Sequence, residues 1–138
     1  KEKKSENLGP VLLVEDDESF QELISFAVGT FGRECLIAKN GDEMMDHLLR
    51  ETPSLIMMDI GLPGEDGFAL IKKIKSMPDF ENIPLVIATV HLFVDSVSLV
   101  DMARNMGCDQ FIQKPVELDE LKSIFEGYIA VDSSEKTL

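Results

Sequence analysis

At 138 residues, 44% of them hydrophobic, the chain is expected to fold as one domain with its own core. No stretch approaches a membrane span or a signal peptide. A net charge of −13 argues against direct binding to nucleic acid or an anionic membrane, whose phosphates would be repelled. Cys35 and Cys108 lie far apart without CxxC spacing, so they read as small buried thiols of a reducing, cytoplasmic compartment. Residue 1 is Lys rather than Met, which suits a piece of a longer gene product.

Residues 1–9 are polar and read as a flexible lead-in, residues 10–130 as the folded domain, and 131–138 as a flexible tail. "PVLLV" predicts a fully buried strand, stopped by "EDDES". Phe20, Leu23, Ile24, Ala27, Val28 and Phe31 recur as a helical stripe. "ECLIA" predicts a second strand and "NG" a turn, followed by a helix through Met44, Met45, Leu48 and Leu49 that closes before Pro53. "SLIMMD" is the third strand, and Phe68, Leu70, Ile71 and Ile74 mark the next helix. "IPLVIAT" is the fourth strand. "SVSLVDMARNM" predicts a helix begun one turn earlier, which makes Leu92 and Phe93 part of its core, with a docking patch as the alternative. "CDQFIQ" is the last strand, and Leu121, Ile124, Phe125, Tyr128 and Ile129 form a closing helix. The methionines read as adaptable packing.

Five strands alternating with five helices, each strand apolar on both faces, imply a parallel sheet between two helix layers. Ligands of such sheets sit beyond the carboxyl ends of the strands. The residues there are Glu15, Asp16 and Asp17 after the first strand, Asp59 after the third, Thr89 on the fourth, and Lys114-Pro115 after the fifth. Like charges 4 Å apart cost about 4 kcal/mol at an effective dielectric near 20, so gathered carboxylates need a cation. Lys114 supplies one charge. Mg²⁺ suits the remainder, because it takes oxygen ligands, while zinc would want a His/Cys set that is missing. A hydroxyl, an ammonium, a metal and a free carboxylate form a phosphoryl-handling set, with Asp59 as nucleophile.

"VLLVEDDE", "LIMMDIGLPGEDGF", "PLVIAT" and "GCDQFIQKPVELDEL" follow one another in the order and spacing of the receiver domain of two-component response regulators, which the chain resembles over about residues 10–130. The resemblance implies a doubly wound, flavodoxin-like α/β fold with a five-stranded parallel sheet in the order 2-1-3-4-5. It makes Asp59 the phosphoacceptor. Asp16 is then a direct Mg²⁺ ligand, Glu15 a ligand through water, Gly61 a ligand through its backbone carbonyl, and Asp17 a helix cap. Thr89 becomes the hydroxyl that bonds the phosphoryl group, Lys114 the lysine paired with it before a cis Pro115, and Phe111 the aromatic switch. The implied donor is a histidine kinase or a histidine phosphotransfer protein. The implied output is another protein or a domain outside this sequence, and a phosphorylation-dependent homodimer belongs to the same range of outcomes.

Val90 stands where the family carries Ala or Gly, and "VHLFV" is apolar for a loop beside a site. His91 reads as an ordinary loop residue, with a place facing the phosphoryl site as the lesser alternative. An aspartate-nucleophile phosphatase of the haloacid dehalogenase type is the enzymatic alternative, but Gly61 replaces the second Asp it needs and the acidic pair precedes the nucleophile. A scaffold that keeps the fold without the reaction is supported only by Val90 and "VHLFV".

Overall fold

The computed structural model describes residues 8–94 and 97–131. Most of the expected lead-in (1–9) and tail (131–138) therefore lies outside the described residues. The elements are β1 (Val11–Val14), α1 (Glu18–Gly29), β2 (Cys35–Ala38), α2 (Gly41–Arg50), β3 (Leu55–Met58), α3 (Gly67–Lys75) and β4 (Leu85–Thr89). Then come β5 (Phe93–Val94), β6 (Val97–Ser98), α4 (Leu99–Asn105), β7 (Gln110–Gln113) and α5 (Leu118–Glu126). Five strands form one sheet in the order β2-β1-β3-β4-β7, with every neighbouring pair parallel. This is the doubly wound order, and β7 takes the place of the fifth strand expected from the sequence.

The short apolar runs become strands because both faces of the central ones are covered. Val11 and Leu13 pack with Ile24, Val28, Leu121 and Phe125 on the α1/α5 side. Leu12 and Val14 pack with Met44, Leu48, Ile71 and Ile74 on the α2/α3 side. A fully buried side chain of this kind contributes about 1.5–3 kcal/mol, which makes these two layers the main support of the fold. The edge strands differ from expectation: Gln110 and Gln113 of β7 are exposed, so that strand is not apolar on both faces.

Side-chain caps set the helix starts. Asp17 Oδ2 accepts from Phe20 N (2.9 Å), and Asn40 Oδ1 accepts from Glu43 N (2.9 Å), so "NG" is a cap and first helical residue rather than a separate turn. Asp66 Oδ1 accepts from the N–H groups of Phe68 and Ala69. The closing helix ends at Glu126, earlier than its apolar pattern suggests. Tyr128 follows in a turn, and Ile129 just beyond it is still buried.

The largest departure is the segment after β4. The helix expected there begins only at Leu99, capped by Ser98, whose Oγ accepts from Asp101 N (3.1 Å). Before it, β5 and β6 form an antiparallel two-stranded ribbon with Phe93 opposite Ser98 and Val94 opposite Val97. Phe93 is 62% exposed, so it is not helix core.

At the amino-terminal edge of the sheet, buried Arg33 donates to the carbonyls of Gly9 (3.0 Å) and Ala130 (2.7 Å) and to Ser54 Oγ (2.7 Å). One guanidinium thus joins the chain's approach to β1, the start of β3 and the chain's departure from α5.

Cys35 on β2 and Cys108 just before β7 sit at opposite edges of the sheet, and both are free. Four strand spacings amount to about 19 Å, far beyond disulfide reach. A non-reducing peptide map is expected to show no Cys35–Cys108 bridge. Burial pushes the Cys108 thiol up to about 11 from 9.0. Its alkylation at pH 8 is expected to run roughly 100-fold slower than that of an unperturbed thiol, because the thiolate is the nucleophile. Iodoacetamide labelling followed by mass spectrometry checks this.

Candidate functional site

The carboxyl ends of β1, β3, β4 and β7 meet where the parallel register aligns them: Val14 beside Met58, Met58 beside Ile87, and Thr89 beside Gln113. The next residues in the chain are Glu15, Asp59 and Lys114. The Lys114 ammonium donates to Glu15 Oε1 and to Asp59 Oδ2, the latter at 3.1 Å. Asp59 Oδ1 accepts from Gly61 N (2.8 Å), so both oxygens of Asp59 are oriented by donors. Lys114 N donates to the carbonyl of Thr89 (2.9 Å), tying the ends of β4 and β7 together. The Lys114-Pro115 peptide is cis.

Glu15 is almost wholly buried, and that burial raises its pKa. The hydrogen bonds from Lys114 and Asp17 N–H pull it down, and the charge of Asp59 pushes it further up. Lys114 shows the complementary balance. Burial works to lower its pKa, but the bond to Glu15 and the charges of Asp59 and Glu15 outweigh that, leaving it raised. A charged lysine between two carboxylates is the stable state of this cluster.

Asp16 is exposed and hydrogen-bonds to none of the described residues. Among the described residues no three His, Cys, Asp or Glu side chains converge on one point. What is present is a pair of carboxylates sharing one ammonium, a third carboxylate adjacent in the chain, and a backbone turn at Gly61. That donor set is all oxygen and carries one negative charge more than Lys114 balances even before Asp16 is added. It fits a hard divalent cation such as Mg²⁺, which takes one or two carboxylates and keeps several waters.

Thr89 is completely buried, and its Oγ1 accepts a long bond from His91 N (3.4 Å). Phe111 is half-buried and packs against the α2/α3 core cluster. Val90 is 56% exposed and borders a surface depression with Phe20, Lys114 and Pro115. His91 is an exposed loop residue whose ring lies near Gly61. A Cβ on Gly61 would lie 3.2 Å from His91 Cδ2 and 3.4 Å from Asp59 Oδ1, so the imidazole sits close to the turn that follows the acceptor.

Two supports were not legible as site residues. The Phe20 ring lies 4.3 Å from Lys114 Nζ, a cation–π contact under the ammonium. Gln21 Nε2 donates to the backbone carbonyl of Glu15 (2.8 Å). The only signal for Phe20 was its place one turn after the acidic run, where it reads equally well as core.

The family model for the response regulator receiver domain matches residues 11–126. The DNA-binding transcriptional regulator NtrC of Escherichia coli is 32% identical over 122 residues, covering 88% of this chain and 25% of that protein. The chain thus spans about a quarter of the length of that relative. Sporulation initiation phosphotransferase F of Bacillus subtilis is 26% identical over 124 residues, covering 90% of this chain and 96% of that one. Among solved structures, the receiver domain of a Pseudomonas aeruginosa sensor histidine kinase, with magnesium ion coordinated in its active site cleft, superposes with a TM-score of 0.73 at 22% identity, covering 88% of this chain and 98% of that one. That likeness speaks for the fold, while the family match extends from β1 to the end of α5 and takes in every strand end that carries Glu15, Asp59, Thr89 and Lys114. By that match the chain belongs to the response regulator receiver domains.

Proposed function

We propose that Asp59 accepts a phosphoryl group from a phosphohistidine, on a histidine kinase or a histidine phosphotransfer protein, and that the phosphorylated state is read through protein–protein contacts. Receiver domains in general are phosphoacceptor switches of two-component signalling, and the observation that carries the specific reading is the Lys114 ammonium held between Glu15 and Asp59. An Asp59 oxygen forms the bond to phosphorus, the bond from phosphorus to the histidine nitrogen breaks, and the imidazole leaves with the electron pair. Lys114 lies against Asp59 Oδ2, where charge on the incoming phosphoryl oxygens develops. The Gly61 N–H fixes the carboxylate from its other side.

Asp16, Asp59 and the Gly61 carbonyl would hold Mg²⁺, with Glu15 reaching it through water. When bound, the ion neutralises charge on the phosphoryl oxygens. Asp17 has a different task, since its side chain caps α1. Asp16→Ala is expected to weaken Mg²⁺ binding at least about tenfold with little change in stability, whereas Asp17→Ala costs about 1 kcal/mol of stability and leaves Mg²⁺ affinity nearly intact. Metal titration and thermal melting of both variants decide this; equal losses of affinity would mean that the acidic pair is misplaced by one residue.

After transfer, the added charge draws the Thr89 hydroxyl toward Asp59, and Phe111 turns into the space released. The face built by α4, β7 and α5 is then reshaped for an output protein or domain, or for a phosphorylation-dependent homodimer. Val90 stands at the rim beside Lys114. Val90→Ala is expected to speed phosphorylation by phosphoramidate about twofold or more, because crowding opposes near-attack geometry. Stopped-flow rates check it, and an equal or slower variant removes the steric argument.

The reading as a whole is tested by incubating the protein with acetyl phosphate and Mg²⁺ and recording its intact mass. One added phosphoryl group, absent when Mg²⁺ is chelated before the donor is added, is the expected result, and no uptake would overturn it.

A further inference from the structure

The phosphoryl chemistry makes no use of the ribbon β5–β6 or of the groove beneath it. Phe68 of α3, Val94 and Val97 of the ribbon, and Leu99 and Met102 of α4 line one apolar depression. Further along the same two helices, Lys72, Lys75, Ser76 and Met106 line a second. Phe68, Lys72 and Lys75 fall at i, i+4 and i+7 on α3, and Leu99 and Met102 at i and i+3 on α4 with Met106 as its C-cap at i+7, so each helix turns a single stripe toward the groove. Val94 (53%), Val97 (49%) and Met102 (37%) stay exposed in it, and an exposed apolar depression of this kind marks an interaction surface.

The charge at this groove runs against that of the molecule. The chain carries −13, yet the last turn of α3 bears Lys72, Lys73 and Lys75. Lys72 and Lys73 form no ion pair among the described residues, and Lys75 Nζ donates to the backbone carbonyl of Glu81 rather than to a carboxylate. Cations in a last helical turn also offset the helix dipole, but that role does not require an apolar groove beside them.

We propose that the α3–α4 groove, walled by the ribbon, docks an acidic amphipathic helix of a partner protein. Its apolar anchors fill the end lined by Phe68, Val94 and Met102, and its carboxylates lie over Lys72 and Lys75. From Phe68 to Ser76 the groove runs about 12 Å, two helical turns, which matches anchors at i, i+3 or i+4, and i+7. Docking here needs no phosphoryl group, so the proposal stands or falls apart from the role of Asp59.

Two synthetic helical peptides with the same leucine stripe, one carrying glutamates and the other lysines, test it by fluorescence anisotropy on the unphosphorylated full chain. The overall field of a −13 molecule favours the lysine peptide. The groove predicts the reverse, with the glutamate peptide about tenfold tighter. Lys72→Glu combined with Lys75→Glu is expected to invert that order. Val94→Thr with Val97→Thr is expected to weaken the glutamate peptide severalfold while circular dichroism and melting stay unchanged, since both side chains are exposed and Thr keeps the β-branched shape of this cross-strand pair. A lysine peptide that binds as well or better, a glutamate peptide indifferent to these substitutions, or binding only to phosphatidylserine vesicles would each overturn the proposal.

Discussion

Asp59→Asn is expected to take no detectable phosphoryl group from acetyl phosphate, a loss of at least about a thousandfold relative to the wild-type protein. The amide keeps an oxygen to accept the Gly61 N–H and occupies the same volume, so the fold is retained and the loss is chemical. Lys114 keeps its bond to Glu15. Removing the Asp59 charge also removes one of the influences that raise the Glu15 pKa, so the cluster is relaxed rather than broken. Intact mass with and without Mg²⁺, beside an unchanged far-ultraviolet spectrum, is the measurement. Stoichiometric labelling of the Asn variant would sink the assignment of the acceptor.

Gly67→Ala is expected to be the most damaging small substitution in the loop that carries the acceptor. A Cβ there would lie 2.5 Å from Ile60 Cα and 2.7 Å from Ile60 O, backbone atoms that cannot turn aside. Overpacking of this kind costs roughly 2–3 kcal/mol, or about 6–12 °C of melting temperature for a chain of this size. Because Ile60 lies between Asp59 and Gly61, the displaced backbone also moves the acceptor and the proposed metal-facing carbonyl. Phosphorylation is therefore expected to slow about tenfold or more in protein that remains folded. Gly29→Ala is the control, since a Cβ there meets nothing within 4 Å. Thermal melts of the two variants side by side, followed by acetyl phosphate labelling, test both effects. A Gly67→Ala variant as stable and as reactive as Gly29→Ala would show that the β3–α3 loop does not depend on this close approach.

The contrast between these two glycines shows what a sequence conveys. "GLPGEDGF" announces a tight turn after a strand, but not that Gly67 presses on Ile60. The five sheet strands were legible because central strands must be apolar on both faces, and Glu15, Asp59 and Lys114 because a charge at the end of such a run has few bland explanations. The ribbon was not legible. Phe93, Val94 and Val97 stand at i, i+1 and i+4, a spacing that a helix would also use, and strands of two residues are too short for their alternation to register. Phe20 illustrates a second limit: one aromatic side chain serves both the α1 core stripe and the ammonium of Lys114, and only the first role has a period. Arg33 illustrates a third, because its partners Gly9, Ser54 and Ala130 are remote in sequence and two of them are backbone carbonyls that any residue supplies.

The Arg33 contact also decides how force would travel through the molecule. Gly9 and Ala130 are brought within the span of one side chain at the amino-terminal edge of the sheet, while Asp59 stands at the opposite edge. Tension applied between these two residues loads the guanidinium bridge, which lies away from the strand ends near the acceptor. A circular permutant that joins the two ends by a short linker and opens the chain elsewhere leaves this bridge in place. What is attached beside Gly9 or Ala130 therefore meets the domain at the edge of the sheet opposite to the acceptor loop.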